Sequence, residues 1–203
     1  MKIICVGRNY AQHAKELKNE VPKEPVIFCK PDSALLHHKK PFFLPDFSKD
    51  VHYEAELVIK INRIGKHIQS KFAHKYFNEI GLGIDFTARD IQTELKAKSL
   101  PWEKAKGFDG SAIIGEFLPI ASISDPTNID FELYKNGTQV QNGNSSDMLF
   151  SFASIIEYVS QYFTLKIGDL IFTGTPAGVG PTQVNDEFKG FIEKKEVLAL
   201  RVK

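Results

Sequence analysis

Two carboxylates stand two positions apart in VHYEAEL (51–57), a stretch that otherwise reads as a strand. Side chains along a strand alternate faces, so Glu54 and Glu56 point one way while Tyr53, Ala55 and Leu57 point the other. Neighbouring like charges repel, and neither gains from burial. Either this face looks at solvent or a positive charge sits between the carboxylates. A third acid, Asp85, ends the apolar run GLGID (81–85), where a strand hands over to a helix, and functional side chains often occupy such positions. The three acids make a hard oxygen-donor set without cysteine. Such a set suits Mg²⁺ or Mn²⁺, with waters or substrate completing the octahedron. His52 shares the Glu54/Glu56 face and reads as an ion-pair partner of the acids rather than a ligand.

The elements that must position these acids are mostly strands. KIICVG (2–7), EPVIFCK (24–30), AELVIKI (55–61), EIGLGIDF (79–86), DLIFTG (169–174) and EVLALRVK (196–203) are short and rich in β-branched and aromatic residues. FELYKNGTQVQ (131–141) predicts a hairpin, with Asn136-Gly137 supplying the positive φ angles of a two-residue turn. Four helices are expected. One runs over YAQHAKEL (10–17) behind a capping Asn9, and a second over SKFAHKYFNEI (70–80). A third, ARDIQTELKAK (88–98), opens on a capping box from Thr87 to Asp90, and the fourth is SFASIIEYVSQYF (151–163). Strands outnumber helices and do not alternate regularly with them. The expectation is a β-rich α+β fold rather than a doubly wound sheet.

The 203 residues suffice for one sizeable core, so a single domain over 1–203 is expected. Basic and acidic side chains balance to a net charge of +1, which gives no support to a nucleic-acid or membrane-surface role. Cys5 and Cys29 have no metal-binding spacing and read as reduced thiols. The apolar start is too short for a signal peptide, and no stretch approaches the ~20 apolar residues of a membrane span. A cytoplasmic protein is the expectation. GTPAGVGP (174–181) has neither the spacing nor the lysine of a phosphate loop, which argues against nucleotide binding.

Seven motifs occur together and in order: VGRNYAQHAKEL (6–17), VIFCKP (26–31), VHYEAEL (51–57), GIDFTARDIQ (83–92), PWEKAKGFDG (101–110), SSDMLFS (145–151) and LKIGDLIFTGTPAGVGP (165–181). From about Ile3 to Val202 the chain resembles the fumarylacetoacetate hydrolase family, especially its small members. These act as acylpyruvases, oxaloacetate decarboxylases or diene-dioate isomerases. The resemblance implies a mixed β-roll, commonly dimeric, with the metal on Glu54, Glu56 and Asp85. It places a helix-borne pair on His13 and Glu16, a catalytic lysine on Lys106, and substrate contacts on Arg89, Gln92 and Thr175. Lys30, before Pro31, is expected to line the same pocket.

The residues suggest how such a site would work. A 2,4-diketo acid offers its carboxylate and 2-oxo oxygen to Mg²⁺, with Mn²⁺ as an alternative, and cleavage of C3–C4 leaves a pyruvate enolate whose charge the metal stabilises. Lys106 would add a second positive charge. His13 and Glu16 are spaced i, i+3, so a helix puts them on one face, where the carboxylate would orient the imidazole as general base for water. Arg89, four positions past Asp85, would hold a substrate carboxylate. The leading expectation is therefore metal-dependent hydrolysis of an acylpyruvate. The alternatives are oxaloacetate decarboxylation, dioate isomerisation, or a non-catalytic module that binds a metal and a small oxo-acid. Phe42, Phe43, Phe86 and Phe108 are the expected walls of the pocket.

Overall fold

The computed structural model describes residues 1–11 and 21–203. In chain order the strands are β1 (Ile3–Gly7), β2 (Val26–Lys30), β3 (Leu35–His37), β4 (Val51–Tyr53), β5 (Ala55–Ile61), β6 (Phe77–Asp85), β7 (Thr87–Ala88), β8 (Ala112–Pro119), β9 (Asp130–Lys135), β10 (Thr138–Asn144), β11 (Leu170–Phe172), β12 (Gly180–Pro181), β13 (Glu187–Ile192) and β14 (Lys195–Arg201). The helices are α1 (Arg89–Ala97), α2 (Glu103–Lys106) and α3 (Phe152–Tyr162). The fold is strand-rich α+β, as the pattern of strands and helices predicts.

The largest sheet has seven strands in the order β2-β1-β11-β5-β6-β8-β3. Its parallel pairs are β1 with β11 and β3 with β8; the others are antiparallel. Both faces are buried, for different reasons. Ile4, Val6, Leu57, Ile59, Ile80, Leu82, Ile84, Ile113 and Ile171 feed the main core, together with the four-stranded sheet β10-β9-β13-β14 and helix α3. On the other face, Ile3, Cys5, Val58, Ala112, Ile114, Leu170 and Phe172 make a smaller core. Alternation therefore sends Leu57 into the main core and Glu56 to the second face. Double burial also explains why these strands read as near-continuous apolar runs.

Two glycines let the sheets meet. A Cβ on Gly115 of β8 would lie 2.4 Å from the Val197 carbonyl oxygen and 2.9 Å from that of Leu82. A Cβ on Gly190 of β13 would lie 2.4 Å from Leu82 Cδ2. Helix α3 buries Phe152, Ile155, Ile156 and Val159, an i, i+3, i+4, i+7 stripe, and Ser151 caps it by accepting the Ser154 N–H. The β9–β10 hairpin turns through Asn136 at φ 51° and Gly137 at φ 81°, as its sequence requires.

Two sequence expectations fail. SKFAHKYFNEI is not a helix: Ser70–Lys75 forms 3-10 turns and Phe77 already begins β6. Helical spacing there loses to the pairing of β6 with β5 and β8 on both edges. Thr87 does not cap α1. It lies in β7, paired with His52 of β4, and Asp90 turns back to Ser48 and the Lys49 N–H. The expected helix over 10–17 falls largely outside the described residues. Among the described residues no helix is long and apolar enough to cross a membrane.

Gly115→Ala forces a methyl against two backbone carbonyls, which cannot rotate away as a side chain could. It should cost about 1–3 kcal/mol of stability in urea unfolding, the usual cost of overpacking. An unchanged midpoint would mean that the sheets separate freely at this point.

Candidate active site

The strand carrying the first two acids is interrupted. β4 ends at Tyr53 and β5 starts at Ala55, so Glu54 sits at the junction between the small sheet β12-β4-β7 and the large one. Its carbonyl accepts the Asp85 N–H at 2.8 Å, which brings the end of β6 alongside. Glu56 lies opposite Gly83 in the β5–β6 ladder. Glu54, Glu56 and Asp85 are all buried, and one carboxylate oxygen from each lies within 4.8 Å of the others. The solvated-face alternative is thus excluded. His52 pairs with Asp50 at 2.9 Å and takes no part in the cluster.

Cationic side chains meet two of the acids. Lys106 Nζ donates to Glu54 Oε2 and Asp85 Oδ2, each at 2.8 Å. Arg89 Nη2 donates to Glu54 Oε1, and its Nη1 to Gln92 Oε1 at 2.7 Å. Lys30 Nζ meets Asp85 Oδ1 at 2.7 Å. Burial alone would lower the pKa of Lys106, but Asp85 and then Glu54 overcome that and hold the ammonium above its ordinary value. With Asp85 and Glu54 as partners, Lys106 is held as an ammonium.

Glu56 is different. Among the described residues its carboxylate receives the Gly174 N–H at 2.7 Å and no cationic side chain. Burial, then the charges of Asp85 and Glu54, push its pKa well above the usual carboxylate range. A cation shared by the three carboxylates would relieve this. The donors are hard, close together and shielded from water, so the residues fit a divalent oxygen-seeking ion.

The cavity over this cluster is lined by Glu54, Glu56, Asp85, Arg89, Gln92, Lys106 and Thr175, with Val6, Phe28 and Trp102 as apolar wall and Arg8 and Lys96 also facing it. Gln141 sets the direction of Thr175. Its Oε1 accepts the Ala55 N–H at 2.9 Å, and its Nε2 donates to the Pro176 carbonyl at 3.0 Å and to Thr175 Oγ1 at 2.8 Å. With its oxygen already accepting, the Thr175 hydroxyl hydrogen has only a long contact of 3.5 Å to the Pro176 carbonyl, and can turn from it to a ligand in the cavity. Gln92, whose carbonyl oxygen serves Arg89, likewise has its N–H₂ for that purpose.

Lys30 does not line the cavity. It lies behind Asp85, in ion contact with Oδ1 but not hydrogen-bonded to it, and its N–H donors face the carbonyls of Phe86, Lys106 and Ser111 and Ser111 Oγ. Its reach is to a carboxylate and not to a substrate. The expected aromatic walls also move. Phe42 and Phe86 are buried and stacked at 4.1 Å in the main core, Phe43 is exposed, and Phe108 packs edge-on against Phe47. Cys5 is buried near the acids, and burial, then Asp85, raise its pKa, so its thiol stays protonated. His13 and Glu16 lie outside the described residues. Sequence reasoning missed Gln141, Ser111, Phe28, Trp102, Arg8 and Lys96. Only Lys96 had a legible signal: it continues the Arg89, Gln92 stripe at i+7.

The model for the fumarylacetoacetate (FAA) hydrolase C-terminal region matches residues 2–203. The chain belongs to the fumarylacetoacetate hydrolase family. Two curated members of the family are similar along most of their length. Oxaloacetate tautomerase YcgM of Escherichia coli is 42% identical over 187 residues, 92% of this chain and 85% of that protein. The mitochondrial oxaloacetate decarboxylase of Dictyostelium discoideum is 46% identical over 189 residues, 93% of this chain and 87% of that one. A solved family member, fumarylpyruvate hydrolase from Pseudomonas aeruginosa in complex with Mn²⁺ and pyruvate, superposes with a TM-score of 0.94. It is 34% identical and covers all of this chain and 89% of that one.

If the three carboxylates hold a divalent ion, EDTA-treated protein should gain about 2.7 kcal/mol of stability at a metal concentration a hundred times the Kd, read as a rise in Tm with Mg²⁺ or Mn²⁺. Glu56→Gln should fold at least as stably as the metal-free parent, because a neutral amide replaces an acid whose ionisation burial and the charges of Asp85 and Glu54 oppose, and should lose that rise. A variant that still gains stability with metal would remove Glu56 from the ligand set.

Proposed function

We propose that the protein is a Mg²⁺-dependent enzyme of short 2-oxo acids whose C4 is a carbonyl carbon, with oxaloacetate as first candidate. Its chemistry would pass through the enolate at C2–C3. The observation that carries this reading is the convergence of the buried Glu54, Glu56 and Asp85 with the ammonium of Lys106 on one small cavity. The names of the two curated relatives support oxaloacetate, and the Mn²⁺ and pyruvate in the related hydrolase support a metal with a 2-oxo acid.

A divalent ion on the three carboxylates would supply Lewis-acid charge to the developing enolate. The chain supplies the rest. The Thr175 hydroxyl and the Gln92 amide donate to the C1 carboxylate, and Arg89, with Nε unpartnered among the described residues, adds a guanidinium N–H. Lys106 contributes a second, permanently charged donor at the C2 oxygen. Phe28, Trp102 and Val6 keep bulk water from that charge, which strengthens each contact. The same stabilised enolate serves tautomerisation, in which the C3 proton is exchanged with a water molecule admitted to the cavity, and decarboxylation, in which the C3–C4 electrons pass into the enolate as CO₂ departs and C3 then takes a proton from water.

Acylpyruvate hydrolysis is the second reading. It is favoured by His13 and Glu16, spaced to activate a water, and by the related fumarylpyruvate hydrolase. It shares the enolate and adds attack of water at C4.

Turnover of oxaloacetate, followed as enol–keto conversion and CO₂ release, and of acetylpyruvate would be measured with Mg²⁺, Mn²⁺ and EDTA. Oxaloacetate should react only with metal, and Lys106→Met should lower kcat about 10²–10³-fold, the scale of losing one preorganised charge-stabilising donor. His13→Ala should spare oxaloacetate chemistry and abolish any acetylpyruvate cleavage. Metal binding without turnover of either substrate would leave a binding module.

A further inference from the structure

We propose that Arg8 and Lys96 form a second carboxylate subsite in the same cavity, so that the pocket selects four-carbon 2-oxo dianions over 2-oxo acids with an uncharged group at C4. The inference rests on the reading of the cavity as an oxo-acid pocket and names which oxo-acids it takes.

The argument begins with charge. Arg8, Arg89 and Lys96 face one cavity, and like charges there repel. Arg89 is compensated by Glu54. Neither Arg8 nor Lys96 has an acidic partner among the described residues. The repulsion is real: burial, then Arg89 and Arg8, lower the pKa of Lys96 to about 8. Cations without an ion-pair partner among the described residues, crowded into a half-buried cleft, are what an anionic ligand would neutralise.

The backbone holds both residues there. Arg8 has φ 61°, in the left-handed region that a branched or long side chain seldom adopts. Asn9 pins this conformation. Its Nδ2 donates to the Thr173 carbonyl at 2.7 Å and the Phe150 carbonyl at 3.0 Å, and its Oδ1 accepts the Phe150 N–H at 2.7 Å. Strain maintained in this way collects at functional positions. Lys96 follows Arg89 and Gln92 at i+7 on the cavity face of α1, about 10 Å further along the helix axis than Arg89. Side chains on a helix lean towards its N-terminus, so the ammonium reaches back towards the carboxylate end, and it lies 5.4 Å from the Trp102 ring. A short dianion with its oxo-acid end at Glu56 and Thr175 would present its second carboxylate to these two cations.

The test is calorimetric titration of the full chain loaded with Mn²⁺. Three unreactive probes are used: oxalate, malate and 2-hydroxybutyrate. The last two share a 2-hydroxy-acid head and differ at C4 as carboxylate against methyl. The parent should prefer malate to 2-hydroxybutyrate by about tenfold or more, the scale of one charge-assisted contact. Lys96→Met and Arg8→Asn (Asn tolerates the left-handed backbone) should each remove most of that preference and leave oxalate within about twofold, while Lys96→Arg should retain it. Equal binding of malate and 2-hydroxybutyrate by a parent that binds oxalate would overturn the subsite and leave the metal centre standing. So would a variant that loses all three probes equally. A parent that does not bind oxalate would overturn the metal reading and the subsite with it.

Discussion

Three carboxylates held together out of water are the constraint to which the rest of the structure answers. An unpaired buried charge costs several kcal/mol even after relaxation. The chain offsets that cost with Lys106 between Glu54 and Asp85, Lys30 behind Asp85 and Arg89 on Glu54. Each remedy creates another requirement. A buried Lys30 needs acceptors, and the carbonyls of Phe86, Lys106 and Ser111 turn inward to provide them. The short helix α2 exists to bring Lys106 and its carbonyl to this spot. Glu56 receives the Gly174 N–H and no cationic side chain among the described residues, and a cation shared with Glu54 and Asp85 would complete the compensation.

The seven-stranded sheet separates stability from chemistry by its two faces. The main core lies on one face, with aromatic and branched side chains packed against the four-stranded sheet. The other face carries a smaller core and, beside it, the acids. Period-two alternation performs the sorting, so a one-residue slip of β5 would drive Glu56 into the main core and turn Leu57 and Ile59 to the face that carries the acids. Register is thus held by both halves at once. Side-chain amides then fasten the loops around the cavity. Gln141 links the β4–β5 junction to Thr175, and Asn9 links the end of β1 to Thr173.

Much of this was legible in the residue pattern, for identifiable reasons. The hairpin at Asn136-Gly137, the apolar strands and the stripe of α3 are local statements, in which spacing and residue type suffice. The pairing of Glu54 with Glu56 follows from strand alternation alone, and Asp85 at the end of an apolar run marks the third acid. The 70–80 segment misled because helical spacing is also compatible with 3-10 turns feeding a strand, and strand neighbours from distant sequence decided between them. The Thr87 capping box failed for the same reason, since β4 claims Thr87 for a ladder.

The sequence by itself therefore determined which residue types stand where on each strand and helix, and through its ordered motifs the family. It did not determine burial. Lys106 in WEKAK looks like a surface lysine and is one of the most enclosed charges in the protein. Lys30 looks like a pocket residue and sits behind a carboxylate. Arg8 looks like an ordinary charge after a glycine, and its place at the cavity depends on hydrogen bonds from Asn9 to residues more than a hundred positions away. Alternation and helical spacing are set by neighbours in the chain. Burial and ion pairing are set by what the fold brings against them, and only the tertiary structure decides that.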